Sequence, residues 1–359
     1  MRLLILIIPI IFFVSCGQQS ESEELMRDAT GEADELIVVV DSTVWNGTVG
    51  SEIRKTFARP MRGLPQDESL YDIHEVNPLK LNSVLKSVHN MIIVATLDKK
   101  NRQSRKIQNM FTDESLKKIQ RDSSFFLATE QNKFSKNQKV LYLFGKTEQQ
   151  LAENISENRD ELFKVFQQHT EKLTRQRIFK YREKGIEKEI TENHGYSIKI
   201  PKGYELAKDL PDFVWFRELD NYNDKEKNIF IYERPYNGPE DFENIGALRD
   251  QITELHLRDS QKPEIYIQRQ YGTKEHPIGV ITEKVTFNGK YAIKALGLWA
   301  VSDLTHGGPF ISYTMVDEEE QKLYYIEGYV YHAAGKKKRL MREVQAILST
   351  FKTPTETKN

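Results

Sequence analysis

Only one cysteine, Cys16, occurs in the 359 residues, so no disulfide can form within the chain. Basic residues are not in excess: 52 Lys and Arg face 53 Asp and Glu, a net charge of −1. That balance argues against a nucleic-acid partner, because such partners are held by cations that displace phosphate counterions. No apolar run reaches the roughly 20 residues that cross a bilayer. Catalytic signatures are missing too. No Gly-x-Ser-x-Gly elbow occurs. Gly145-Lys146-Thr147 resembles the end of a phosphate-binding loop, but Val140 stands where its first glycine belongs. The eight histidines are scattered, with no i, i+4 pair on a helix, so there is no helical zinc signature. No cofactor and no metal are expected.

What is present begins at the first residues. Met1-Arg2 is followed by an apolar stretch, residues 3–14, and then by Ser15-Cys16. A short positive start and a brief apolar core form a secretory signal, too short for a stable anchor. The end of the stretch resembles a lipobox, with Phe13 where Leu is usual. This resemblance implies cleavage after residue 15 and lipid on Cys16. It also implies an outer-membrane lipoprotein whose body faces the periplasm or the cell surface. Residues 16–34 carry Glu21, Glu23, Glu24, Asp28, Glu32 and Asp34 and little that can be buried. They read as an acidic flexible tether, alone or with a surface-export role of the kind found in Bacteroidota lipoproteins. Asp41-Ser42-Thr43 resembles a short O-glycosylation acceptor of that phylum.

The remaining length suits two domains, expected at 35–182 and 183–354, with 355–359 as a disordered tail. In the first, residues 36–40, 89–97, 124–129 and 139–144 read as strands. Residues 47–57, 107–119 and 147–181 read as helices, and 59–66 as a proline-punctuated loop. In the second, 186–191 and 196–200 read as short strands around a turn at 192–195. Residues 213–219 and 228–234 form an antiparallel pair. Strands follow at 278–287, 290–301, 310–317 and 322–332, with helices at 239–257 and 336–351. Asn288-Gly289 is a strong hairpin signal, because a tight primed turn needs positive φ at both residues. The expected class is α+β, with two domains, each a mostly antiparallel sheet packed with helices.

Several stretches resemble DUF4837, a family of Bacteroidota lipoproteins of unknown function. They are Gly63-Leu64-Pro65-Gln66-Asp67-Glu68, residues 132–138 (with Phe134 where Trp is expected), Gly195-Tyr196-Ser197-Ile198-Lys199-Ile200-Pro201, and Gly328-Tyr329-Val330-Tyr331 through Phe351. The resemblance extends over nearly the full mature chain and implies compartment and lineage, but no activity. The second half also resembles, more loosely, folds of the photosystem-accessory type. Those open with a Gly-aromatic strand ending in Pro and close with a long strand hairpin and a helix.

Three groups are candidates for binding. Arg59, Arg62, Gln66 and Glu68 flank two prolines, as in a rigid binding loop or a solvated connection. His306 lies in a Gly-Gly-Pro context that exposes an imidazole or simply turns the chain. Tyr325, Tyr329 and Tyr331 share a strand face with Glu327, as a stacking surface or as core. The function expected is a non-enzymatic binding or assembly protein. Its partners would be the membrane, through the lipid, and an envelope protein or glycan. An envelope hydrolase with a non-motif active site is the alternative.

Overall fold

The computed structural model describes residues 26–257, 265–267, 272–273, 276–277, 279–303, 305–333 and 335–358. Contacts divide them into two units. The first holds the described residues up to Arg59 together with Ser69–Leu173. The second holds Pro60–Glu68 and the described residues from Thr174 onward. Both units mix helices with a sheet, and the α+β class holds.

In the first unit, β1 (Glu35–Val39), β2 (Asp72–Val76), β3 (Asn90–Thr96), β4 (Leu127–Gln131) and β5 (Lys139–Gly145) form one sheet. Its order is β2-β1-β3-β5-β4. The pairs β1–β2, β1–β3 and β3–β5 are parallel, and only β4–β5 is antiparallel. The expectation of a mostly antiparallel sheet fails here, for a reason visible in composition. Strands covered on both faces read as continuous apolar runs, and β3 is buried along its whole length. Helix α1 (Thr48–Phe57) places Val49, Ile53 and Phe57 against Leu36, Val38 and Ile92 on one face. Ile107 of α2 (Arg102–Gln108) and Ile119 of α3 (Asp113–Arg121) lie against Ile37, Met91 and Ile93 on the other.

Two expected helices are each broken. Thr112 accepts from the Ser115 N–H at 3.2 Å and so caps a new helix inside 107–119. At Asn158 the side chain donates to the Asn154 carbonyl at 2.8 Å, dividing α4 (Glu148–Glu157) from α5 (Arg159–Ile178). The expected tether is partly structured as well. The Ala29 N–H donates to Lys136 O at 2.8 Å and the Thr30 N–H to Ser87 O at 2.7 Å, which ties residues 28–30 to the first unit.

The second unit opens with α6 (Lys184–His194), where a strand at 186–191 was expected. Ile186 and Ile190 also satisfy helical spacing four, and Gly195, at φ 78°, ends the helix in the left-handed region. Residues 196–200 run beside it with only the isolated bridge Ser197–Lys352. Then come β6 (Glu205–Leu210), β7 (Phe213–Asp220), β8 (Lys225–Pro235), α7 (Ile245–His256), β9 (Ile281–Phe287), β10 (Lys290–Val301), β11 (Gly307–Asp317), β12 (Lys322–His332) and α8 (Lys338–Leu348). The sheet is antiparallel, ordered β9-β10-β11-β12-β8-β7-β6, with Ile265–Ile267 added beside β10. Asn288 and Gly289 take φ 48° and 88°, as the hairpin signal requires. One sheet face, with Val214, Ile229, Tyr324, Ile326 and Val330, packs with Val344 and Ile347 of α8. The other, with Phe230, Phe310, Tyr325 and Tyr329, packs with Leu248 and Ile252 of α7. Pro354–Lys358 is a short helix rather than a disordered tail, held by Thr355 donating its hydroxyl to Asp317 at 2.8 Å.

Candidate functional site

The expected binding residues do not converge. Arg59, in the first unit, pairs with Asp160 at 3.2 Å and lies 4.1 Å above the Phe163 ring. Arg62, Gln66 and Glu68 belong to the second unit. Arg62 pairs with Glu283, and Gln66 is exposed. Glu68 is buried, and its two oxygens accept the backbone N–H groups of Lys337 (2.7 Å) and Lys338 (3.0 Å). It is thus the N-terminal cap of α8, supplied from far away in sequence and favoured by the helix dipole.

Tyr325 and Tyr329 are core residues, not a surface. Tyr325 donates its hydroxyl to Glu327 at 2.6 Å, and Glu327 is clasped by Arg249 of α7, whose Nε lies 2.9 and 3.0 Å from its two oxygens. Arg249 and Glu327 are both fully buried. Burial pushes the Glu327 carboxyl upward against the pull of Arg249. Tyr331 is half-buried, and His306, exposed, sits 4.6 Å from its ring while bonding Thr305 at 2.9 Å. The glycines after His306 are not a loop but the start of β11. A side chain on Gly308 would collide with the Val330 carbonyl oxygen of the neighbouring strand. Asp41 is buried and caps the short helix Ser42–Trp45 by accepting from the Thr43 N–H at 2.8 Å. Cys16 and Glu21, Glu23 and Glu24 lie outside the described residues.

A cleft that the sequence reading missed lies on the α7 side of the second unit's sheet, with a volume of about 790 Å³. Such a volume is in the range of small-ligand sites. Its floor is Ile293 and Val316. Its wall is a ladder of three rings. Tyr236 lies 6.2 Å from Phe242, and Phe242 meets Tyr291 edge-on at 5.9 Å and 77°. Tyr291 remains 54% exposed. The Asn288-Gly289 turn sets its position at the start of β10. The loop carrying Tyr236 and Phe242 is fixed by Asp241, which accepts from Arg234 at 2.6 Å and from the Asn237 N–H at 2.9 Å.

Charged groups ring the aromatic wall: Lys284, Glu243, Glu318 and Glu319, all exposed. Asp317 sits beneath them. Burial pushes its carboxyl up, but hydrogen bonds from Thr353 and Thr355 prevail and hold it below the usual range. Lys290 approaches it at 3.9 Å and donates to Thr353 at 3.0 Å. The arrangement offers an aromatic platform for the apolar face of a ring and a rim of carboxylates and an amine for its hydroxyls. Its aromatic residues come from two separate segments, the loop with Tyr236 and Phe242 and the strand with Tyr291, and only Tyr291, two residues after a hairpin signal, carried a local hint.

No curated protein matches the chain in sequence. Among solved structures, the Saccharomyces cerevisiae Ran-binding protein Mog1p is 12% identical, with a TM-score of 0.29 over 45% of this chain and 90% of that one. A mutant of the protein Mog1 gives 13% identity and a TM-score of 0.27 over 44% and 90%. The human StarD13 lipid transfer and protein localization domain gives 12% and 0.20 over 46% and 95%. These likenesses are too slight to bear on fold or function. The loops at 63–68 and 132–138, which suggested DUF4837 over nearly the whole chain, fall outside the residues that match its family model. Residues 182–350 match the family model of DUF4837, and residues 29–179 that of a different domain, DUF8532, both domains of unknown function.

Proposed function

We propose that the protein is a non-enzymatic lipoprotein of the bacterial outer membrane, anchored by lipid on Cys16, that binds an envelope saccharide in the aromatic cleft. One observation carries the binding part of this reading: the half-exposed ring of Tyr291 at the end of the Tyr236–Phe242 ladder. Leaving such a ring in water forgoes burial that a strand face normally provides. A sugar ring laid on it recovers that burial, while Glu243, Glu318 and Lys284 reach its hydroxyls. The anchoring part rests on the signal, the lone cysteine and the acidic stretch after it. The test is a binding screen of the mature chain against a panel of envelope oligosaccharides. A member of the panel binds, and Tyr291→Ala weakens it about tenfold or more, as for a central aromatic anchor. Binding that Tyr291→Ala leaves intact contradicts the reading.

A further inference from the structure

A second cleft in the same unit, of about 360 Å³, is built from charge rather than from rings. Glu218 on β7 and Lys227 on β8 face each other directly across the ladder and form an ion pair. Lys227 also donates to Glu343 of α8 at 2.7 Å, and Arg177, in the last turn of α5, donates to Glu343 at 2.8 Å. Burial pushes Lys227 down and Glu343 up, but the pairing prevails: the ammonium titrates above its ordinary range and the carboxyl below. The centre therefore stays charged.

Two features make the cleft more than a structural ion cluster. The first is a surplus of donors and of positive charge. Arg177, Lys202, Lys225 and Lys227 line it with the carboxylates Glu218 and Glu343, and Asp220 pairs with Lys225 at 2.9 Å, so four cations face three carboxylates and one positive charge is left over. An ammonium has three N–H donors, and the two glutamates occupy two of those on Lys227. The second is Tyr204, placed by the turn at Gly203 (φ 102°). Its side chain lines the cleft, only 4% of the residue is exposed, and its hydroxyl, shut off from bulk solvent, has no hydrogen-bond partner. Burial, with Glu218 and Glu343 nearby, holds that phenol far above its usual titration range, so it remains a donor. A buried hydroxyl without a partner is costly.

We propose that this cleft is a binding site for a small oxyanion, a carboxylate or a phosphate carried on a molecule of about monosaccharide size. The anion accepts from Tyr204 and from the remaining N–H of Lys227, and it offsets the excess positive charge. Arg177, Lys202 and the exposed ring of Tyr181 form the mouth. The site is separate from the aromatic cleft and does not rest on it.

Calorimetric titration of the full mature chain with glucuronate, glycerol phosphate and neutral glucose tests this. At least one anion binds at millimolar concentration or better, and its affinity falls as salt is raised. Tyr204→Phe weakens that binding about tenfold, the cost of one hydrogen bond to a charged group. Tyr291→Ala, in the other cleft, leaves it unchanged. Preference for glucuronate identifies a carboxylated sugar as the source, and preference for glycerol phosphate a phosphate headgroup. Absence of binding by both anions overturns the proposal, as does binding that Tyr204→Phe does not alter. Melting of Tyr204→Phe supplies a second readout. The variant melts at or above the wild-type temperature, because no protein partner is lost and a costly unpaired hydroxyl is removed. A marked drop shows the hydroxyl to be bonded within the fold and also overturns the proposal.

Discussion

Arg249 and Glu327 have no exposed surface, and either alone would be an isolated charge in the core. Glu327→Ala is therefore expected to destabilise the second unit by about 3–5 kcal/mol, the usual cost of orphaning a buried partner. Replacing both, as Arg249→Met with Glu327→Leu, recovers most of that loss. Denaturant unfolding of the three proteins checks this, and a double variant no better than the single one contradicts it. At this scale the sequence was readable only in part. The alternation of Tyr325, Glu327 and Tyr329 was plain, but whether that face met water was not. What decides it is Arg249, 78 residues away and itself buried on α7. Glu68 was legible as an acidic residue in a loop; its role as a cap for α8 depends on a contact 269 residues away.

Among elements, signals written into a few neighbouring residues came through. The Asn288-Gly289 turn, the long strands before α8, and the buried runs of β1 and β3 all follow from local chemistry. Others failed where one pattern fits two structures. The stretch Ile-Glu-Lys-Glu-Ile at 186–190 satisfies both the strand and the helix period at its ends, and the cap at Gly195 decides for helix. β2 and β6 are polar edge strands without an apolar stripe. Parallel pairing in the first unit depends on which strands become neighbours, a property of the packed chain. One contact between elements there has a measurable consequence. His169 of α5 meets Oδ1 of Asn90 on β3 at 2.8 Å, and the Asn90 amide is committed to the carbonyls of Ala33 and Glu35. The ring must therefore donate from Nδ1. Burial, aided by the charges of His89 and Lys139, pushes its pKa down to about 4. In the unfolded chain it titrates near 6.5. Between these values the unfolded state takes up a proton that the folded state refuses. Stability is then complete above about pH 6.5 and falls by roughly 2–3 kcal/mol as the pH drops toward 4. His169→Gln should flatten that slope in pH-dependent unfolding, and an unchanged slope rules the assignment out.

For the molecule as a whole, both clefts assemble residues from distant segments: 236, 242 and 291 in one, 177, 204, 227 and 343 in the other. Neither spacing has a sequence signature, so neither cleft could be read before the fold was known. The proposed lipid anchor, by contrast, rests on consecutive residues, the apolar stretch 3–14 and Ser15-Cys16. Cys16→Ala is expected to release the protein from the membrane fraction, and a variant that stays bound would remove the lipid anchor from the account. Protease digestion of intact cells then tells a surface-facing body from a periplasmic one. The most direct test of the central claim is a hydrogen-exchange footprint of the mature chain with a bound saccharide. Protection confined to the segments around Tyr236–Phe242 and Lys290–Ile293 is the predicted result. Protection elsewhere, with these segments unchanged, would show that the aromatic cleft is not where the ligand sits.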